Sequence, residues 1–177
     1  MVSLHSFSKD LAIPGQRVGA IVGSPELLTE VAKLMDCVAI CAPIIGQEAA
    51  HAGLTEATQW RHEKVAEIAE KQSRFEAAMA TAPGGFVLHS AGAYYGWVEH
   101  PFVHTPTPDI VEQLLLEQGI LVIPGTAFMP GDTNMMRFSF ANIEIDRLDE
   151  LKDRLTEFAE ANTELLGEGQ DLSLIHI

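Results

Sequence analysis

Apolar and polar positions along this chain follow two periods, and the switches between them mark its elements. Residues 2–8 and 17–23 are short apolar-rich runs with a Pro14-Gly15 turn between them, and both predict strands. Ser24-Pro25-Glu26 is a helix start: a hydroxyl cap, a proline at the first helical position and an acid in the first turn. Leu27, Leu28, Val31, Leu34 and Met35 continue it as an apolar stripe. Pro43 and Gly46 interrupt the next stretch, and a second helical segment is expected from Gln47 to His51.

A long helical stretch runs from Thr55 to Ala82, with Ile68, Phe75 and Met79 at helical spacing and Pro83-Gly84-Gly85 as its stop. A helix of that length can pass from one domain into the next. Beyond it, residues 86–89 and 93–98 predict strands, and Pro108 to Gln118 predicts a helix closed by Gly119. Strands are also expected at 120–123 and 135–141. Leu148, Leu151, Leu155, Phe158 and Leu165 stripe a final amphipathic helix. The mixture of strands and helices is that of the α/β class, and there is no internal repeat or low-complexity segment.

Composition narrows the function classes. Of the 177 residues, 47% are apolar and 20% charged, which is globular. No apolar run approaches the roughly 20 residues that span a bilayer, and the first residues lack the basic start of a signal peptide. A cytoplasmic location is the expectation. The formal charge of −14, from 11 basic and 25 acidic residues, argues against nucleic-acid and anionic-membrane partners. The acids crowd the last third at helical spacing, as on a solvated helix face. Cys37 and Cys41 are the only cysteines, too few for a disulfide scaffold or a complete zinc site, and are expected to be small buried hydrophobes. The histidines offer no metal site: His100 and His104 are separated by Pro101, and His51 and His62 have no carboxylate at ligand spacing.

Candidate chemistry concentrates near the beginning. Ser6-Phe7-Ser8-Lys9 puts a lysine at the end of a short apolar strand after two hydroxyls, and Arg17 comes next between glycines in Pro14-Gly15-Gln16-Arg17-Val18-Gly19. An amine forms an imine with an aldehyde only when unprotonated, which calls for a desolvated or cationic pocket. A phosphate on that aldehyde needs its own anchor, for which Arg17 supplies a bidentate fork and Ser6 a further donor. This run resembles the pyridoxal 5'-phosphate (PLP) attachment segment of class I/II aminotransferases. The resemblance implies that Lys9 is the Schiff-base lysine and proton shuttle, and that Ser6 and Arg17 hold the cofactor phosphate. Ser8 either joins them or lies on the strand's other face.

Two later segments resemble the same family. Gly92-Ala93-Tyr94-Tyr95 is similar to the glycine-aromatic strand that opens its small domain. Met135-Met136-Arg137-Phe138-Ser139-Phe140-Ala141 is similar to the segment whose arginine grips the substrate's α-carboxylate, and Pro124 to Phe128 matches the loop before it. Strand alternation independently puts Met136, Phe138 and Phe140 on one side and Arg137 on the other. The resemblance covers residues 2 to about 166. It implies the C-terminal part of the fold-type I PLP-dependent transferase fold, arranged as a remnant of the large PLP-binding domain (1–75) ending in an interdomain helix and a small α+β domain (76–166).

The function it implies is that of a biosynthetic aminotransferase that moves an amino group between an amino acid and a 2-oxo acid, usually as a homodimer. A C–S lyase or a decarboxylase of the same fold is the alternative, as is a non-catalytic remnant. Neither substrate choice nor a dicarboxylate pocket is readable, although Tyr94, Tyr95 and Trp97 hint at an apolar side chain. The family's acidic partner of the pyridine nitrogen, its stacked aromatic ring and further phosphate ligands belong upstream of the lysine. The chain as given is therefore expected to be inactive and poorly folded, although its gene encodes an enzyme. Residues 167–177 are expected to be a tail, and Leu172-Ser173-Leu174-Ile175-His176-Ile177 resembles the translation of a transposase adapter from sequencing libraries.

Overall fold

The computed structural model describes residues 1–131 and 133–166, so the expected tail lies outside the described residues. The chain divides into two compact units, Met1–Val65 and Ala66 onward.

In the first unit, β1 (Ser3–Ser6) pairs antiparallel with β2 (Gly19–Val22), Leu4 opposite Ile21 and Ser6 opposite Gly19. Between them the expected strand stops early. Ser6 caps a single helical turn, α1 (Phe7–Asp10), by accepting a hydrogen bond from the Ser8 N–H on its Oγ at 3.4 Å. Lys9 therefore sits on a helical turn rather than at a strand end. A 3-10 turn, Pro14–Gln16, leads back into β2.

Helix α2 (Pro25–Val38) starts as expected: Ser24 Oγ accepts from the Leu27 N–H, and Pro25 occupies the first helical position. Its apolar stripe is only partly covered: Leu27, Leu28 and Val31 are half-buried, while Leu34 and Met35 are exposed. Cys37, near the end of α2, and Cys41, just beyond it, are exposed, against the expectation that both are buried. Helix α3 (Ile44–Glu56) is longer than the segment expected from Gln47 to His51. Gly46 does not interrupt it but is buried within it. A Cβ there would come within 2.9 Å of the Gln16 carbonyl oxygen, so glycine lets the 3-10 turn lie directly on the helix. The small core of this unit is Leu11, Val18 and Ala50, with Phe7, Ile13 and Ala42 partly buried around it.

The long helix α4 (Thr58–Met79) is separate from α3 and ends before the expected Ala82, which is left-handed at φ 46°. The boundary between the compact units falls inside α4, ahead of the break expected after residue 75. The reason lies in packing: Phe75 and Met79 belong to the core of the second unit, and Ile68 packs against it.

The second unit is an antiparallel sheet covered on one face by helices, an α+β arrangement. Its strands are β3 (Val87–Gly92), β4 (Tyr95–Glu99), β5 (Ile123–Pro124) and β6 (Met135–Ser139), in the order β3-β4-β6-β5. The expected strand 120–123 is reduced to the two residues of β5, and the expected final helix is split into α6 (Ile145–Asp149) and α7 (Leu151–Ala161). Helix α5 (Thr107–Gln118) ends at Gly119, left-handed at φ 66°. Gly96, Val98, Met136 and Phe138 face a core shared with Phe75, Ile110, Leu114, Leu155 and Phe158. Truncating a ring as enclosed as Phe158 costs about 3–5 kcal/mol. His100 is also enclosed. Its Nδ1 accepts the Phe102 N–H at 3.2 Å, which leaves Nε2 facing Thr107 Oγ1 at 2.9 Å. No described helix is long and apolar enough to cross a membrane.

Candidate active site

Within the first unit the fold gathers the residues singled out near the beginning of the chain. The turn of α1 places Lys9 one step after Ser8 and three after its cap Ser6. All three are near the surface, and Lys9 is exposed. The Pro14–Gln16 turn forces Arg17 into the left-handed region, φ 50° and ψ 47°. That conformation folds its side chain back, and Nη1 donates to the Pro14 carbonyl at 3.0 Å and to Ser8 Oγ at 3.4 Å.

Two hydroxyls and a guanidinium thus surround the turn that carries the lysine. Ser6 Oγ uses one lone pair on the Ser8 N–H and keeps its own hydrogen to donate. Ser8, for which the sequence leaves two positions open, lies with Arg17. The donor set is rich in N–H and O–H and, among the described residues, holds no carboxylate facing Arg17, which is the chemistry a phosphate requires. The acid beside Lys9, Asp10, is occupied elsewhere: Arg61 of α4 takes both of its oxygens.

Arg137 is a separate case, because it belongs to the second unit. It lies at the centre of β6, in register with Trp97 on β4 and Ile123 on β5. As alternation predicts, Met136 and Phe138 point into the core and Arg137 to the other face of the sheet, with Tyr95 and Trp97. Its Cζ is 4.2 Å from the centre of the Tyr95 ring and 4.5 Å from that of Phe128. Its Nε is buried and has no hydrogen-bond partner among the described residues. These two rings are the part of the arrangement that sequence reasoning did not find. Alternation puts Tyr95 and Trp97 on one face of their own strand, and only the pairing of β4 with β6 brings that face to Arg137.

Comparison with known proteins identifies the family. The family model for aminotransferase class I and II matches residues 1–155. An aromatic aminotransferase (ISS1) of Arabidopsis thaliana is 32% identical over 147 residues, covering 81% of this chain and 37% of its own length. Among solved structures, an aminotransferase from Staphylococcus aureus superposes with a TM-score of 0.73 at 31% identity, over 90% of this chain and 42% of that one. The α-aminoadipate aminotransferase LysN of Thermus thermophilus, solved in complex with N-(5'-phosphopyridoxyl)-L-leucine, gives 0.76 at 26% identity, over 93% and 43%. The chain spans about two fifths of the length of these relatives. Over that span its fold is part of the fold-type I architecture, and the chain belongs to the aminotransferase class I and II family.

Proposed function

We propose that this chain supplies the lysine, the phosphate anchor and the carboxylate-binding arginine of a PLP-dependent aminotransferase acting on an amino acid and a 2-oxo acid. The observation that carries the reading is the Arg17 guanidinium, whose Nη1 donates to the Ser8 hydroxyl at 3.4 Å, one residue from Lys9. An arginine beside hydroxyls and without an acid partner suits a dianion, and a lysine on the same turn suits the aldehyde of the molecule that bears it.

In this reading Ser6, Ser8 and Arg17 would hold the phosphate, and Lys9, on the same turn, would supply the amine for the aldehyde. Bound PLP supplies the electrophilic carbon that captures an amino group and a ring that withdraws electrons from the substrate's α-carbon. The amine of Lys9 carries the proton moved during transfer. Arg137 pairs with the substrate's α-carboxylate through its planar edge, which orients the substrate and favours chemistry that retains the carboxylate. The first unit is then part of a large cofactor-binding domain and the second a small domain, in a cytoplasmic homodimer.

The test is reductive trapping. The full-length protein carrying this segment is mixed with PLP and reduced with borohydride, and modified lysines are mapped by mass spectrometry. Selective labelling of Lys9, lost in Lys9→Ala, is the expected result. Labelling elsewhere, with Lys9 unmodified, would sink the assignment.

A further inference from the structure

We infer that Tyr95 and Phe128 are positioning residues that hold the guanidinium of Arg137 ready for a carboxylate, so that acid binding depends on both rings. The inference rests on the reading of Arg137 as the carboxylate ligand and adds what makes that arginine competent.

A half-buried guanidinium is ordinarily compensated by an acid, because removing its charge from water is costly. Arg137 has no acid partner among the described residues and is packed instead over two aromatic rings, at 4.2 and 4.5 Å. The difference matters for ligand binding. An acidic partner would occupy the in-plane N–H groups that a substrate carboxylate uses. A ring engages only the flat face of the guanidinium and leaves those N–H groups free. No described residue hydrogen-bonds the buried Nε, so the protein does not use that N–H for an acid of its own. An arginine side chain also has considerable rotamer entropy, which a ligand must otherwise overcome when it freezes the chain. Packing over two rings restrains it beforehand.

The rings come from separate elements, each fixed independently. Tyr95 opens β4, opposite Ser139 of β6, the strand that bears Arg137. Phe128 comes directly after the 3-10 turn Gly125–Ala127 and is tied to it by a 2.8 Å hydrogen bond from its N–H to the Gly125 carbonyl. Trp97, directly opposite Arg137 in the sheet, meets the Phe128 ring edge-on at 6.1 Å. Phe128 is half exposed, so its replacement leaves the core untouched.

The experiment uses the full-length protein loaded with PLP and monitors two ligands through the cofactor's absorbance. One is hydrocinnamate, an unreactive monocarboxylate; the other is phenethylamine, a similar skeleton without the carboxylate. Phe128→Leu and Tyr95→Leu should each weaken hydrocinnamate about 3- to 30-fold and leave phenethylamine unchanged. Phe128→Tyr and Tyr95→Phe, which restore a ring, should restore the lost affinity. Arg137→Leu separates the two levels of the argument. If the parent protein fails to bind hydrocinnamate, or Arg137→Leu binds it as the parent does, the reading of Arg137 itself is wrong. If Arg137→Leu loses it while both ring variants keep parental affinity, or lose both ligands alike, the positioning role is overturned.

Discussion

Arg61 holds Asp10 through two parallel hydrogen bonds, Nε to Oδ1 at 3.2 Å and Nη2 to Oδ2 at 2.8 Å. This pair ties the first turns of α4 to the turn of α1 that carries Lys9. With side chains 32% and 42% exposed, it is open to solvent and contributes at most about 1 kcal/mol to stability. Its larger effect is geometric, since Asp10 is the neighbour of Lys9. Arg61→Ala should leave the thermal midpoint of the full-length protein nearly unchanged and weaken PLP binding about 2- to 5-fold. Arg61→Lys keeps the charge without the fork and should fall in between. An Arg61→Ala protein with parental PLP affinity would mean that the turn is held by its other contacts alone.

Arg17 combines strain with function. A side chain other than glycine at φ 50° is held in a sparsely populated region, and such strain persists where the surroundings impose it. Arg17→Gly relieves it and should raise stability by up to about 1 kcal/mol. The same change removes the phosphate fork and should weaken PLP retention about 10- to 100-fold, the loss of one or more charge-assisted hydrogen bonds. Stability and cofactor affinity moving in opposite directions is the signature. If both fall together in calorimetry and PLP titration, Arg17 is structural.

The contrast between the two units explains what could be read in advance. The second unit buries its own apolar pattern, so Met136, Phe138 and Phe140 lie inward and Arg137 outward as alternation requires. In the first unit local chemistry decided more than periodicity. Ser6 is a good cap, and capping turned an expected strand end into the helical turn under Lys9. Gly46 reads as a breaker in isolation, yet it is a packing glycine once Gln16 is known to cross it. Cys37 and Cys41 lie in an apolar run that predicts burial, but α2 has no partner covering that side among the described residues. Tyr95 reaches Arg137 through the pairing of β4 beside β6, and Phe128 reaches it from the 3-10 turn Gly125–Ala127, a non-local meeting that no single segment encodes.

The start of α2 supplies a pH-dependent prediction. The Glu26 carboxylate is held below its usual value of 4.5 by its backbone hydrogen bond first and by the Ser24 hydroxyl second. A lowered folded-state value means that the carboxylate stabilises the helix start above about pH 4.5 and loses that effect as pH falls through the folded value. Carbon-detected NMR titration of the Glu26 carboxyl should therefore show a midpoint below that of an unfolded control. Ser24→Ala should move it part of the way back up. A Glu26 midpoint equal to the control would remove the helix-start interaction.

Gly96 tests the core of the second unit. A Cβ at this position of β4 would overlap the Phe75 ring, with Cζ at 2.6 Å. The Phe75 ring is itself packed against Phe138 at 6.0 Å and Phe140 at 5.4 Å and is 1% exposed. Adding a methyl group to such a site costs about 1–3 kcal/mol, more than an alanine gains over glycine in a strand. Gly96→Ala should lower the urea midpoint of the full-length protein accordingly. Phe75→Leu alone also destabilises, by leaving a cavity beside Gly96. Combined, the two changes should cost less than the sum of their separate effects, because the methyl group of one enters the space vacated by the other. Simple additivity would show that α4 and β4 do not meet at these two residues.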